Sequence, residues 1–134
     1  MSQENIEVVR RLVERTNAAG GHLDAGLEFM APEIELHLSG VFPDLDPVYR
    51  GHEGVREFVA LFNAPWEELS VTPERFFDLG EQVLVLSRFE GKGRDGIEAS
   101  LPMGHIHTVR DGQVVRMDAF ADQKKALEAA GLQE

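Results

Sequence analysis

Residues 97–122 read IEASLPMGHIHTVRDGQVVRMDAFAD, and this stretch decides the fold. Two apolar-rich runs flank Arg110-Asp111-Gly112-Gln113. An Asp-Gly pair in that setting is the strongest short-range signal for a β-hairpin. A long bent hairpin that follows several helices predicts a curved sheet around a pocket, and we expect the function to lie inside that pocket.

Helical patterns dominate the chain before this hairpin. Apolar residues recur at helical spacing after Ser2, a candidate N-cap, until Gly20 and Gly21 end the pattern. Shorter patterns of the same kind follow, each bounded by a cap or by proline. They predict helices over residues 2–19, 24–29 and 53–62.

Strand patterns fill most of the rest of the chain. They predict strands over residues 34–38, 69–77 and 83–89 in addition to the hairpin, and Asp122 is expected to cap a last helix that ends at Gly131. The segment from Ser39 to Arg50 carries two prolines and is predicted to be a loop over the mouth of the pocket. Helices first and antiparallel strands later predict one α+β domain over residues 1–134.

Composition limits the possible partners. The chain has 134 residues, 43% of them hydrophobic and 28% charged, with a formal net charge of −11 and no cysteine. The negative charge opposes binding to nucleic acid or to anionic membranes. No apolar run approaches the roughly 20 residues of a membrane span, and the first residues lack the pattern of a secretory signal. We therefore expect a cytoplasmic protein that binds neither nucleic acid nor membranes.

Four phrases of the sequence carry a family resemblance. They are FMAPEIELH at 29–37, YRGHEGVREF at 49–58, VRDGQVV at 109–115 and ALEAAGL at 126–132. Their order and spacing resemble the SnoaL-like family of the nuclear transport factor 2-like superfamily, which includes ketosteroid isomerases and polyketide cyclases. The resemblance covers nearly the whole chain.

This resemblance implies a cone-shaped fold. Three central helices, a short C-terminal helix and a strongly curved, mostly antiparallel mixed sheet would enclose an apolar pocket. A homodimer is implied as the commonest state, with a small hydrophobic molecule as partner and no cofactor. The superfamily contains enzymes and non-catalytic binders alike, so the fold does not settle the function.

The carboxylates of catalytic relatives are missing at the corresponding positions. Cyclases and epoxide hydrolases of the family often carry an aspartate seven residues after the hairpin glycine, where this chain has Ala119. Isomerases place their base near the end of the first strand, where it has Leu38. Asp118 is one residue from the expected position, and one residue reverses the face of a strand.

The hairpin register decides where Asp118 points. A two-residue turn would place His105 opposite Asp118. A three-residue loop with a glycine bulge would place His105 opposite Met117 and His107 opposite Val115. We favour the bulged register, because it groups the apolar residues on one face and leaves Asp118 on the other.

His105 and His107 are the candidate acid-base residues. Two residues apart on a strand, they project from the same face about 7 Å apart. One interpretation is that they only line the sheet; another is that one of them orients a ligand carbonyl or moves a proton near neutral pH. Metal binding is not predicted, because a third ligand at suitable spacing is missing from this strand.

The predicted pocket is otherwise lined by apolar and aromatic side chains. Tyr49 and Trp66 are expected on loops near its mouth, and His37 is expected to face outward. Arg88 could point inward, as a partner for an oxyanion or carboxylate, or outward, which we favour. The predicted lining is Leu36, Leu38, Tyr49, Phe58, Trp66, Met103, Val115, Met117 and Ala119.

Two functional hypotheses remain. The first, which we favour, is a non-catalytic protein whose apolar pocket holds a small hydrophobic molecule. The second is a cofactor-free cyclase or isomerase that acts on a small polyketide-like or steroid-like carbonyl compound through His105 or His107. The missing carboxylates favour the first, and the paired histidines support the second.

Overall fold

The computed structural model of the protein describes residues 2–38, 41–42 and 44–132, with the side chain of Ser2 excepted. The predicted side-chain cap at Ser2 and the loop residues Ser39, Gly40 and Pro43 therefore lie outside the description. The helices are α1 (Ser2–Ala18), a 3₁₀ helix (Leu23–Phe29), α2 (Gly51–Asn63) and α3 (Gln123–Ala129). The strands are β1 (Met30–His37), β2 (Val48–Arg50), β3 (Trp66–Asp78), β4 (Gln82–Gly93), β5 (Glu98–Arg110) and β6 (Gln113–Phe120).

A six-stranded mixed sheet in the order β2-β1-β6-β5-β4-β3 forms the frame of the molecule. β1 and β6 run parallel, and the other neighbouring strands run antiparallel. The sheet is curved and does not close, and the predicted α+β class is confirmed. In the part of the chain that the structure describes, no helix is long and apolar enough to cross a membrane.

Helices cover both faces of this sheet, so strands bury side chains on both sides. α1 and α2 pack on the concave inner face, where Val9, Leu12 and Val55 are fully or almost fully buried against the strands. α3 packs on the outer face through Ala126 and Leu127, against Leu84, Leu86 and Ile106. The continuous apolar run of β4 reflects this double burial.

Two segments predicted as loops belong to strands. Residues 48–50 form β2, which pairs with β1 so that Tyr49 lies opposite Leu36. β3 begins at Trp66, which lies opposite Gly93 of β4. The predictions for Tyr49 and Trp66 were wrong in this respect, because pairing with a strand distant in sequence gives these residues their extended structure.

The turn between β5 and β6 has two residues, and the bulge lies elsewhere. Asp111 and Gly112 both have positive φ, 51° and 77°, as the tight hairpin turn requires. Arg110 pairs with Gln113 and Val109 with Val114, but the next pair is Thr108 with Arg116, which leaves Val115 as the extra residue.

The observed pairing therefore matches neither predicted register residue for residue. Beyond the bulge, His107 lies opposite Met117 and His105 lies opposite Ala119. The distribution of side chains between the two faces still agrees with the bulged alternative: both histidines face inward and Asp118 faces outward. Val115 is the exception, because it leaves the ladder at the bulge while Val114 takes the fully buried position.

Gly104 allows α3 to lie directly on the sheet. A Cβ atom at this position would collide with the Cβ of Ala126 on α3 and would lie 3.4 Å from the Cδ2 of Leu86. Only glycine therefore permits this close approach between helix and strand.

Gly104→Ala is expected to destabilise the protein by about 1–3 kcal/mol, because α3 must move away from the sheet. Chemical denaturation of the variant and the wild type measures this loss. In an Ala126→Gly background the same change should cost less, since the colliding methyl group is gone. An equal loss in both backgrounds would contradict the assigned contact.

Candidate functional site

A cavity of about 120 Å³ lies between the concave face of the sheet and helices α1 and α2. Its surface is mainly apolar, and most of it comes from side chains that alternate inward along β1, β3, β4, β5 and β6. The lining residues are Leu12, Val13, Thr16, Asn17, Gly21, Leu23, Leu36, His37, Leu38, Phe42, Phe58, Phe62, Asn63, Leu69, Val71, Pro73, Val85, Ser87, Phe89, Met103, His105, His107, Met117 and Ala119.

His105 and His107 lie side by side on the inner face of β5. Their ring centroids are 6.2 Å apart, and the rings are inclined by 40°. His107 is 3% exposed, whereas His105 is only partly buried and borders the cavity. The structure thus brings both predicted histidines to the cavity wall.

Both imidazoles are neutral at pH 7. Burial lowers the pKa of His105 from its ordinary value of 6.5 to about 4. The pKa of His107 is lowered to about 3, first by burial and then by the charge of His105, while the backbone of Val83 acts in the opposite direction. A neutral imidazole donates one hydrogen bond and accepts another, but a pKa this low is poorly matched to proton transfer at neutral pH.

Ser87 is a third polar residue of the same wall that sequence analysis missed. It is 0% exposed, and its Oγ has no hydrogen-bond partner among the described residues; the same is true of His107 Nδ1. The sequence does indicate the orientation of Ser87, because Ser87 continues the inward alternation of Val83 and Val85 on β4. A buried hydroxyl without a partner is costly to a folded protein, so this position requires an explanation.

The backbone carbonyl of Ser87 accepts a hydrogen bond from α3, which packs on the outer face of the sheet. Pro73 lies opposite Ser87 and has no N–H to donate to the ladder. The side chain of Gln123, at the start of α3, donates instead to the Ser87 carbonyl at 3.2 Å. This contact fixes the strand while leaving the hydroxyl free.

No charged residue belongs to the described lining of the cavity. Asp118 lies on the outer face, where both of its oxygens accept hydrogen bonds from Arg116 at 2.9 Å. This hydrogen bond is the main reason why the pKa of Arg116 is raised. The position that would face inward is occupied by Ala119, so the cavity has no carboxylate from this strand.

Metal ligands do not converge in the described part of the chain. Nowhere in it do three His, Asp or Glu side chains gather in an arrangement that could hold a metal ion. The two histidines of β5 have no third ligand beside them.

Six of the nine predicted lining residues do border the inner cavity. Leu36, Leu38, Phe58, Met103, Met117 and Ala119 border the cavity.

Tyr49, Trp66 and Val115 do not belong to its described lining. Tyr49 is packed in the core, with its ring centroid 5.7 Å from that of Phe58, and its hydroxyl accepts the N–H of Asp46. Val115 is displaced from the lining by the bulge.

Trp66 lines a second, outer cavity of about 420 Å³. Its ring centroid is 5.3 Å from that of Phe89. Phe42, Phe62 and Phe89 border both cavities, with Phe62 in ring contact with each of the other two. This aromatic cluster is the partition between the inner and the outer cavity.

His37 and Arg88 make polar contacts with neighbouring side chains, and His37 belongs to the described lining of the cavity whereas Arg88 does not. The Nε2 of His37 is 2.8 Å from the Glu35 carboxylate, and this hydrogen bond is the largest of the effects that lower the pKa of Glu35. Arg88 donates to the hydroxyl of Ser100 at 3.2 Å and lies 3.8 Å from the carboxylate of Glu74.

The chain belongs to the SnoaL-like domain family, whose model matches residues 9–117. Ala119 and Leu38, the two positions where the resemblance leads one to expect a carboxylate, both border the cavity. No curated protein matches the chain.

Solved structures support the same fold. An NTF2-like protein of unknown function from Burkholderia pseudomallei has 23% identity and a TM-score of 0.77, over 93% of this chain and 95% of that one. TerC, co-crystallised with polyporic acid, has 25% identity and a TM-score of 0.76, over 96% and 98%. A putative SnoaL-like polyketide cyclase from Jannaschia sp. CCS1 has 23% identity and a TM-score of 0.75, over 98% and 94%.

The lowered pKa of His105 predicts a loss of stability in acid. The unfolded chain takes up this proton near pH 6.5 and the folded protein only near pH 4. Stability is therefore lost as the pH falls through this window, by at most about 3 kcal/mol for this residue. His107 acts in the same direction.

His105→Gln removes this proton uptake and should make the free energy of unfolding less dependent on pH. The free energy of unfolding of the variant, relative to wild type, should rise by up to about 3 kcal/mol between pH 7 and pH 4. His22→Gln at an exposed position serves as the control. A constant difference between wild type and His105→Gln over this range would refute the buried neutral imidazole.

Proposed function

We propose that this SnoaL-like domain binds a small, uncharged and largely apolar molecule in the inner cavity, without acid-base catalysis of the kind that uses inward carboxylates. The observation that carries this proposal is the combination of a mainly apolar wall, a described lining without Asp, Glu, Lys or Arg, and the neutral imidazoles of His105 and His107. Such a site offers apolar contact and hydrogen bonds but no charge.

The chemistry of the cavity favours uncharged ligands over ions. An ionised carboxylate that entered it would lose its hydration and would find no described cation in return. Several kcal/mol of desolvation would remain uncompensated. A hydroxyl or carbonyl group, in contrast, finds hydrogen-bonding partners on β4 and β5.

Comparison with TerC adds support from a relative of the same fold. That protein was co-crystallised with polyporic acid, and it is 25% identical to this chain. This co-crystallisation supports an organic ligand for the fold, whereas the proposal of an uncharged ligand rests on the cavity of this chain alone. The expected homodimer and cytoplasmic location remain predictions.

A cofactor-free cyclase or isomerase is the second candidate. Two imidazoles 6.2 Å apart in one cavity supply the observation in its favour. Their lowered pKa values weigh against it, since neither group takes up a proton efficiently at pH 7. Recovery of an incubated carbonyl ligand unchanged would support binding, and its conversion by the wild type but not by His105→Gln would support catalysis.

Benzyl alcohol and benzoate test the binding proposal, because they share a ring and differ in charge. Benzyl alcohol is expected to bind at pH 7, and benzoate is expected to bind at least tenfold more weakly because its charge has no partner. NMR-detected titration measures both affinities.

Ala119→Leu should abolish the binding of benzyl alcohol by filling the cavity. Ala60→Leu, on the exposed side of α2, is the matched control and should leave the affinity unchanged. Equal affinity for benzoate and benzyl alcohol, or binding that survives Ala119→Leu, would refute an uncharged inner site.

A further inference from the structure

Three polar residues with unused hydrogen-bonding groups follow one wall of the cavity. Ser87 on β4 and His105 and His107 on β5 all face inward, and the side chains of Ser87 and His105 make no hydrogen bond within the described residues. His107 lacks a partner at Nδ1. The three residues form a polar strip, a name we keep for them below.

The other polar side chains of the lining are already engaged with the protein. Thr16 donates to the Leu12 carbonyl, and Asn17 exchanges two hydrogen bonds with the backbone of Val71. Asn63 donates to the Gly21 carbonyl at 3.0 Å, and the Nε2 of His37 lies 2.8 Å from the Glu35 carboxylate. Hydrogen-bonding capacity in the cavity is therefore concentrated on the polar strip.

The spacing along the polar strip matches a compact molecule. Val85 lies opposite His105, so Ser87 is the diagonal neighbour of His105, at roughly 7–8 Å. His107 lies one further step along β5. Two oxygen atoms on opposite sides of a single ring can approach the two ends of such a strip at the same time.

The volume of the cavity points to the same size of ligand. Its 120 Å³ is close to the roughly 150 Å³ of an apolar protein cavity that holds one benzene molecule. One ring with small substituents fills this space, whereas a fused polycyclic compound exceeds it.

We propose that Ser87 is a ligand-binding residue and that the cavity takes an uncharged single-ring compound with two oxygen substituents, one hydrogen-bonded to Ser87 Oγ and the other to the imidazoles of His105 and His107. This inference rests on the proposed function and adds the ligand class to it. Ser87 reaches the ligand by rotation about χ1, which for serine moves the hydroxyl between staggered positions. The hydroxyl of Ser87, which has no partner among the described residues, is thereby explained as a group that binds the ligand.

Ser87→Ala should then have opposite effects on stability and on binding. Removal of an unpaired buried hydroxyl is expected to raise the Tm of the ligand-free protein by about 2–6 °C. A serine with a structural hydrogen bond would give a lower Tm instead. Ser100→Ala removes an exposed hydroxyl that accepts a hydrogen bond from Arg88, so this control should leave the ligand affinity unchanged and should not raise the Tm.

Four ring compounds separate the contribution of each oxygen: toluene, p-cresol, benzyl alcohol and 4-hydroxybenzyl alcohol. 4-Hydroxybenzyl alcohol should bind about three- to tenfold more tightly than either one-hydroxyl compound, as one further hydrogen bond predicts. Ser87→Ala should remove this gain and leave the affinity for toluene unchanged.

The outcomes distinguish this inference from the proposed function. If p-cresol and benzyl alcohol bind but the second hydroxyl gives no gain, or if Ser87→Ala weakens all four compounds equally, the role of Ser87 is refuted while the uncharged site stands. If none of the four compounds binds, both proposals fail. A gain that Ser87→Ala removes, together with a raised Tm, supports the inference.

Discussion

One extra residue on β6 determines which side chains of the long hairpin face the cavity. Val115 leaves the ladder between Val109 and Thr108, and the alternation of every later residue of β6 is set by that bulge. A shift of one residue would turn Met117 and Ala119 outward and bring Arg116 and Asp118 inward. The same shift would place an ion pair in an apolar cavity, at a high cost in desolvation.

The chemical character of the cavity follows from this register. With Asp118 held by Arg116 on the outer face, the inner face of β5 and β6 contains two imidazoles and apolar side chains but no carboxylate. Burial then keeps the imidazoles neutral. The inner face of these two strands therefore presents neutral hydrogen-bonding groups and apolar side chains to the cavity.

The unpaired groups of the polar strip carry an energetic cost in the empty protein. Ser87 Oγ and His107 Nδ1 lose their hydrogen bonds to water on folding and gain none from the described residues. A ligand that supplies the missing hydrogen bonds recovers this free energy on binding. Site residues that are unfavourable for stability and favourable for binding are a common feature of functional cavities.

Local sequence signals were sufficient for most of the fold. Asp111-Gly112 predicted the position of the hairpin, although the favoured three-residue loop was wrong and the turn has two residues. Alternation predicted that His105 and His107 share a face. The position of the bulge could not be predicted, because Val115 has no feature that separates it from Val114. Ser87 was readable from the alternation of β4 and was overlooked. The pKa values of the histidines depend on how completely the helices cover the sheet, which only the tertiary structure shows.

The most direct test of an uncharged cavity is an NMR titration of the imidazole Cε1–Hε1 groups of His105 and His107. Signals are assigned with the single His→Gln variants, and chemical shifts are followed from pH 8 to the onset of acid unfolding. The account predicts that both signals stay at their neutral positions down to about pH 5, because burial lowers the pKa of His105 to about 4 and that of His107 to about 3. A titration midpoint near 6.5 for either residue would show that its imidazole is hydrated and charged in weak acid, and would contradict the account.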